Sequence, residues 1–166
     1  MAGAASKRSD TAAAHTVAHS RSVPVLSLVL GYAAMAPLAL AAVAVWLLAD
    51  MSALITTLAV VWGAMILAFL SGVRRGFSFQ TDGGPAVSQL IIMGWLFVLA
   101  LAAMLAPFQA AALTCLLAGF ATLLVVDRRA ATSGRQPRFF ARLRPPQMGL
   151  AVAALASLLG HAVWGG

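Results

Sequence analysis

The sequence predicts an all-α, polytopic integral membrane protein, a bundle of five transmembrane helices with a short cytoplasmic interfacial helix. Three observations carry that expectation. Hydrophobic residues make up 62% of the 166 and charged residues only 9%, a balance foreign to ordinary soluble domains. The apolar residues gather into five runs, each close to or above the length that crosses a hydrocarbon core of about 30 Å. The eleven Lys and Arg residues lie only outside those runs, in the tail and in the gaps between them.

Residues 1–24 are rich in Ala and Ser, carry Lys7, Arg8 and Arg21 without apolar periodicity, and read as a disordered tail; residues 25–166 form the transmembrane domain. His15 and His19 in the tail are four apart but lack a third ligand type beside them, so no metal is assigned to them. The first span covers 25–49, with Pro37 at its middle predicting a kink. Arg21 and the Ala39-Leu40-Ala41 triplet imitate a signal peptide, yet the apolar run continues to Asp50, which favours an uncleaved anchor. The second span, 53–72, is expected to stop at Arg74 and Arg75, because an arginine at the centre of a span costs about 2.5–3.5 kcal/mol on insertion scales. After the Asp82-Gly83-Gly84-Pro85 turn, 86–106 makes the third span and Pro107 breaks it. The fourth, 109–126, closes a tight hairpin, and the fifth, 148–164, follows the basic connection from Asp127 to Pro146.

Lys and Arg number three in the tail, two between the second and third spans and six between the fourth and fifth; the other side of the membrane has none. By the positive-inside rule the N-terminus faces the cytoplasm and the C-terminus faces outward. Trp46 and Trp164 then fall near the outer interface. A composition rich in Ala, Gly, Arg and Pro, with one Lys and no Glu, reads as a GC-rich bacterial genome and hence a bacterial inner membrane. An organelle transit peptide shares the tail's composition, so the mitochondrial inner membrane is the alternative.

The charge balance of +7 invites a nucleic-acid reading, but the bases flank hydrocarbon-length segments rather than forming a face on a soluble surface. Anionic lipid headgroups on the cytoplasmic side are the expected electrostatic partner. Cys115 lies inside an apolar run and the chain has no second Cys, so no intrachain disulfide exists and a reactive thiol is not expected. His161 is the single His in a span, whereas a membrane haem normally takes two.

Two stretches are candidate sites. Residues 137–144 make a short helix that puts Phe139, Phe140 and Leu143 on one side and Arg138 and Arg142 on the other. With Arg135 and Arg144 nearby, it is a candidate platform for lipid or partner docking, or a topology determinant resting on the bilayer. In FLSGVRRG, the small residues Ser71 and Gly72 permit close helix approach beside Arg74 and Arg75, so the segment could bind an anion at the membrane interface or act as a stop signal alone. No acid or base is expected at mid-depth in any span, and no nucleophile and base set, metal constellation or glycine-rich phosphate loop is present. No enzymatic activity and no cofactor is therefore expected. Tyr32, Thr56, Thr57, Gln89, Thr114 and Thr122 are read as interhelical hydrogen-bonding groups, and small residues such as Ala102, Ala106, Ala153, Ala156, Ser157 and Gly160 as points of close helix approach.

LGYAAMAPLALA from Leu30, AFLSGVRRG from Ala68, VVDRR from Val125 and FFARLRPPQMGLAVAAL from Phe139 together resemble the family catalogued as domain of unknown function 3429, which includes a small mitochondrial membrane protein of animals. In that family the second-span motif usually carries two glycines, a basic residue or His, then Trp and a final Gly; here Ser71 stands at the first glycine and Arg75 at the Trp. The resemblance covers roughly 30–159, implies a five-helix inner-membrane protein and supplies no activity. The functional expectation is a non-catalytic accessory or assembly component that packs against other membrane proteins or copies of itself. The alternative is a small-solute carrier or channel with Arg74 and Arg75 at its cytoplasmic mouth.

Overall fold

The computed structural model describes residues 25–78, 87–132 and 138–165. The tail and the Asp82 to Pro85 turn lie outside the described residues. Among the described residues five α-helices follow in order: α1 Val25–Leu47, α2 Ser52–Ser78, α3 Val87–Leu105, α4 Gln109–Thr132 and α5 Arg138–Trp164, with a 3-10 turn at Ala49–Met51 between the first two. Among the described residues there is no strand.

In hydrocarbon a backbone amide or carbonyl finds no water, and a helix satisfies both within one segment. Among the described residues, four helices are long and apolar enough to cross a membrane, within Ala49–Arg74, Val87–Leu105, Gln109–Arg129 and Pro145–Trp164. In α1 the apolar part Gly31–Leu47 is shorter, but the whole helix has 23 residues, about 35 Å at about 1.5 Å per residue. The protein is a helical, multi-pass membrane bundle.

Three helices run past the ends that polarity suggests. α2 continues through Arg74 and Arg75 to Ser78, and α4 continues through Arg128 and Arg129 to Thr132. Arginine halts a span at the interface but favours helix as well as most residues do, so the helix itself need not stop there. The larger difference is in α5. Residues 138–144 are helical, but they continue into the fifth span as one helix that includes Pro145 and Pro146. The short helix is thus the first two turns of α5 and not a separate element. Two prolines remove two amide donors, and the turn before them can still hold helical dihedrals even though proline disfavours them there.

Each helix packs on its neighbours in sequence, α5 returns to α1 to close the ring, and α2 also touches α4 across it. The core comprises Leu38 and Val45 of α1, Leu67 of α2, Leu96 of α3, Leu113, Leu116 and Phe120 of α4, and Leu155 and Leu158 of α5, all fully buried. The α2 and α4 crossing depends on two glycines. A Cβ on Gly63 would lie 2.9 Å from Leu116 Cδ1, and one on Gly119 would collide with the Leu67 side chain. Each helix therefore sets a leucine over the other's glycine, and the two backbones come close because neither glycine has a side chain. The small residues singled out from spacing are only partly at the seams. Ala153 and Ala156 are exposed, whereas Ala151 and Ala154 are buried.

Gly119→Leu is expected to lower the stability of the detergent-solubilised protein by about 1–3 kcal/mol through overpacking. Gly72→Leu, where a Cβ meets nothing within 4 Å, is expected to leave the melting temperature unchanged or raise it, and thermal unfolding of both variants checks the contrast.

Candidate functional site

The candidate site lies at the arginine end of the bundle, where α2 and α4 present opposite charges. Arg74 Nη2 donates to Asp127 Oδ1 in an ion pair between residues 53 apart in sequence. The Asp127 side chain is only 2% exposed and that of Arg74 18%. A guanidinium this close to the lipid core is stabilised by a buried carboxylate, which removes the net charge and gives its N–H groups a strong acceptor. One turn earlier on α2, Ser71 is buried and its Oγ donates to the Met93 carbonyl of α3, 2.9 Å away. The same turn of α2 thus holds α3 by a hydroxyl and α4 by a charge.

Of the α2 residues expected to act together, Ser71 and Arg74 do engage neighbouring helices. Gly72 is exposed, with open space where its Cβ would be, so it is not the place where two described helices meet. Arg75 is helical, but its side chain lies outside the described residues. So do Arg135 and the side chains of Arg138, Phe139, Phe140, Arg142, Leu143 and Arg144; for the last six the backbone alone is assigned, as the start of α5.

Two further polar residues belong to this end. Gln147 is buried near the start of the apolar part of α5, and its side-chain amide fills the space that a Cβ on Gly31 would occupy. Gly31 therefore lets α1 pass over a buried amide. Asp127 and Gln147 were missed in the sequence. Asp127 looked like one more charge in a basic connection, but it is the one acid beside the fourth span, facing a chain whose second span ends in arginine. Position 147 directly follows two prolines and precedes the apolar run that begins at Met148.

The opposite end is held by neutral hydrogen bonds. Trp46 Nε1 donates to Ser157 Oγ at 3.1 Å, and Ser157 Oγ in turn donates to the Ala42 carbonyl at 3.4 Å, tying α1 to α5. The His161 ring stands edge-on to Trp46, centroids 4.9 Å apart. Gln109 Nε2 donates to the Ala53 carbonyl and to Thr57 Oγ1, tying α4 to the start of α2. At mid-span, Trp62 Nε1 donates to the Ala34 carbonyl, next to the carbonyl of Ala33 that Pro37 deprives of its usual amide donor. Thr114 and Thr122, expected to bridge helices, instead donate to Ala110 and Ala118 of their own helix, because a threonine hydroxyl reaches the carbonyl four residues back within its own turn. Tyr32 and Gln89 are exposed.

The sequence model of a family described as "Protein of unknown function (DUF3429)" matches residues 23–163. The chain belongs to the DUF3429 family. No curated protein and no solved structure matches it. Gly31, Ser71, Arg74, Asp127 and Gln147, which build the arginine end, all lie within the matched residues 23–163. Among the described residues no three His, Cys, Asp or Glu gather as a metal site would require.

Asp127→Asn keeps the shape of the side chain but leaves the Arg74 charge among helices. It is expected to destabilise the protein by about 3–5 kcal/mol, the usual result of removing one partner of a buried pair. Arg128→Gln, at an exposed position one residue on, is expected to shift the unfolding midpoint by less than about 0.5 kcal/mol; denaturation in the same detergent compares the two.

Proposed function

We propose that this DUF3429 protein is a non-catalytic accessory or assembly component of a larger membrane complex. The observation that carries the reading is the engagement of Arg74 by buried Asp127. The most conspicuous charge in the spans is occupied in joining α2 to α4. The same holds for Ser71, Trp46, Ser157, Trp62 and Gln109, each of which spends its hydrogen-bonding groups on a neighbouring helix. Polar groups arranged in this way make a rigid bundle that presents apolar helix surface to its surroundings. A carrier with Arg74 at its mouth would need that guanidinium to leave Asp127 for the solute, which favours the accessory role over transport.

The proposed setting is a bacterial inner membrane, with the arginine end in the cytoplasm as the distribution of Lys and Arg directs. The proposed partners are other membrane proteins or further copies of this chain, with anionic lipid headgroups contacting the basic connection before α5.

Gentle solubilisation from native membranes followed by native mass measurement is expected to recover the chain with stoichiometric protein partners; a clean monomer in several mild detergents overturns the proposal. Orientation has its own test. Alkaline phosphatase fused after Trp164 is expected to be active and the same enzyme fused after Thr132 inactive, with the reverse pattern contradicting the assignment.

A further inference from the structure

At the end of the bundle away from the arginines, polar and apolar groups are placed in the reverse of the order that a surface facing water favours. Leu48 and Met51, in the turn between α1 and α2, are exposed, and so is Phe108, in the turn between α3 and α4, to 73%. Leu47, Leu105 and Trp164, at the last turns of α1, α3 and α5, are exposed beside them, Trp164 to 83%. The polar side chains of this end are spent inside the protein. Gln109 Nε2 donates to the Ala53 carbonyl and Thr57 Oγ1, and Trp46 Nε1 donates to Ser157 Oγ. Among the described residues Asp50 is the one charged group at this end, and it is exposed.

The backbone follows the same pattern. In the first turn the Leu48 amide donates to the Ala44 carbonyl, the Met51 amide to the Leu48 carbonyl and the Ser52 amide to the Ala49 carbonyl. At the other two, the Ala112 amide donates to the Phe108 carbonyl and the Gly165 amide to the His161 carbonyl. Water would supply such partners to an open turn, whereas lipid supplies none. Helix length sets the depth. From Arg128 back to Gln109 α4 rises about 28 Å, and from Arg74 back to Ser52 α2 rises about 33 Å, at about 1.5 Å per residue. A tilt of about 20° shortens these to about 27 and 31 Å. With the arginines at one interface of a core about 30 Å thick, the turns only just reach the other. The turn residues are also continuous with the lipid-facing sides, since Leu47 lies one helical turn beyond exposed Val43 and Leu105 one beyond exposed Leu101.

We propose that this end binds the membrane itself, with Leu48, Met51, Phe108 and Trp164 seated in the acyl and glycerol layer of the leaflet opposite the arginines and Asp50 alone reaching the headgroups. An indole at that level is where tryptophan prefers to sit. The surface is therefore a lipid contact and not a dock for a soluble partner domain. The inference needs neither the accessory role nor a choice of which side of the membrane the arginines face. It leaves the sides of the helices and the arginine end as the surfaces open to an assembly partner.

The test is electron paramagnetic resonance of nitroxide-labelled single-cysteine variants of the full chain, made with Cys115→Ser and reconstituted in palmitoyl-oleoyl phosphatidylcholine vesicles. Oxygen concentrates in hydrocarbon, and a polar nickel chelate, present on both sides of the vesicle, stays in water. At Phe108→Cys and Met51→Cys the ratio of oxygen to chelate collisions is expected to exceed that at Arg128→Cys, the aqueous reference, by about fivefold, as the modest exclusion of a polar solute from the bilayer interface implies. All three replace exposed side chains and are expected to melt like the Cys115→Ser parent; Leu48→Cys takes the place of either turn variant that does not fold. Chelate collisions as frequent at the turns as at Arg128 would show an end open to water and overturn the proposal. Rare collisions with both reagents would show protein covering the end, a second copy or another chain, and overturn it equally.

Discussion

A guanidinium at the edge of hydrocarbon has two inexpensive fates: it reaches out to water and headgroups, or it meets a carboxylate. In this protein Arg74 takes the second course, with Asp127 buried beneath it, and much of the arrangement at the arginine end depends on that choice. α2 and α4 are not neighbours in sequence, and the ring of consecutive helices alone would not fix their distance. The ion pair does so at one end, and the exchange of Leu67 and Leu116 over Gly119 and Gly63 does so at mid-span. Burying a pair of this kind gains little net energy over an apolar pair of equal shape. Its effect is on specificity, since a shift of either helix by one turn would strand both charges.

The same logic separates the two ends of the bundle. Where the sequence is basic, helices are joined by charge and by buried polar groups, Arg74 with Asp127, Ser71 with the Met93 carbonyl, Gln147 against Gly31. Where it is free of basic residues, the joints are neutral, Trp46 with Ser157 and Gln109 with Thr57 and Ala53. Van der Waals packing within lipid is weakly directional, because lipid tails are as apolar as leucine. Directional bonds at both ends therefore set the register that the apolar core fills. Asp127 turns inward while Arg128 and Arg129, which follow it, are exposed.

Much of this was legible in the residues. Hydropathy marked the helices, since in lipid a long apolar run has hardly any other secondary structure available. The extension of α2 and α4 beyond their arginines was not legible, because polarity marks where lipid ends and says nothing of where a helix ends. Nor was the continuity of α5 through Pro145 and Pro146, where tertiary context overrides a local preference against helix. At the site, Ser71 is expected from sequence to permit close helix approach and Arg74 to meet an anion or stop the span, whereas the structure has Ser71 on the Met93 carbonyl and Arg74 on Asp127. Those partners were not legible, since pairing across 53 residues is a property of how helices pack. Thr114 and Thr122 show the converse error, polar residues credited with long-range bonds that their own helix already satisfies.

The central claim is that Arg74 and Asp127 act as one unit, and a double-mutant cycle over Arg74→Gln and Asp127→Asn reads that most directly. Unfolding free energies of the four proteins in one detergent are expected to be strongly non-additive, with the doubly neutral chain more stable than the chain carrying Asp127→Asn alone. Losses that simply add, with the double variant the least stable of the four, would show two independent polar residues and contradict the account.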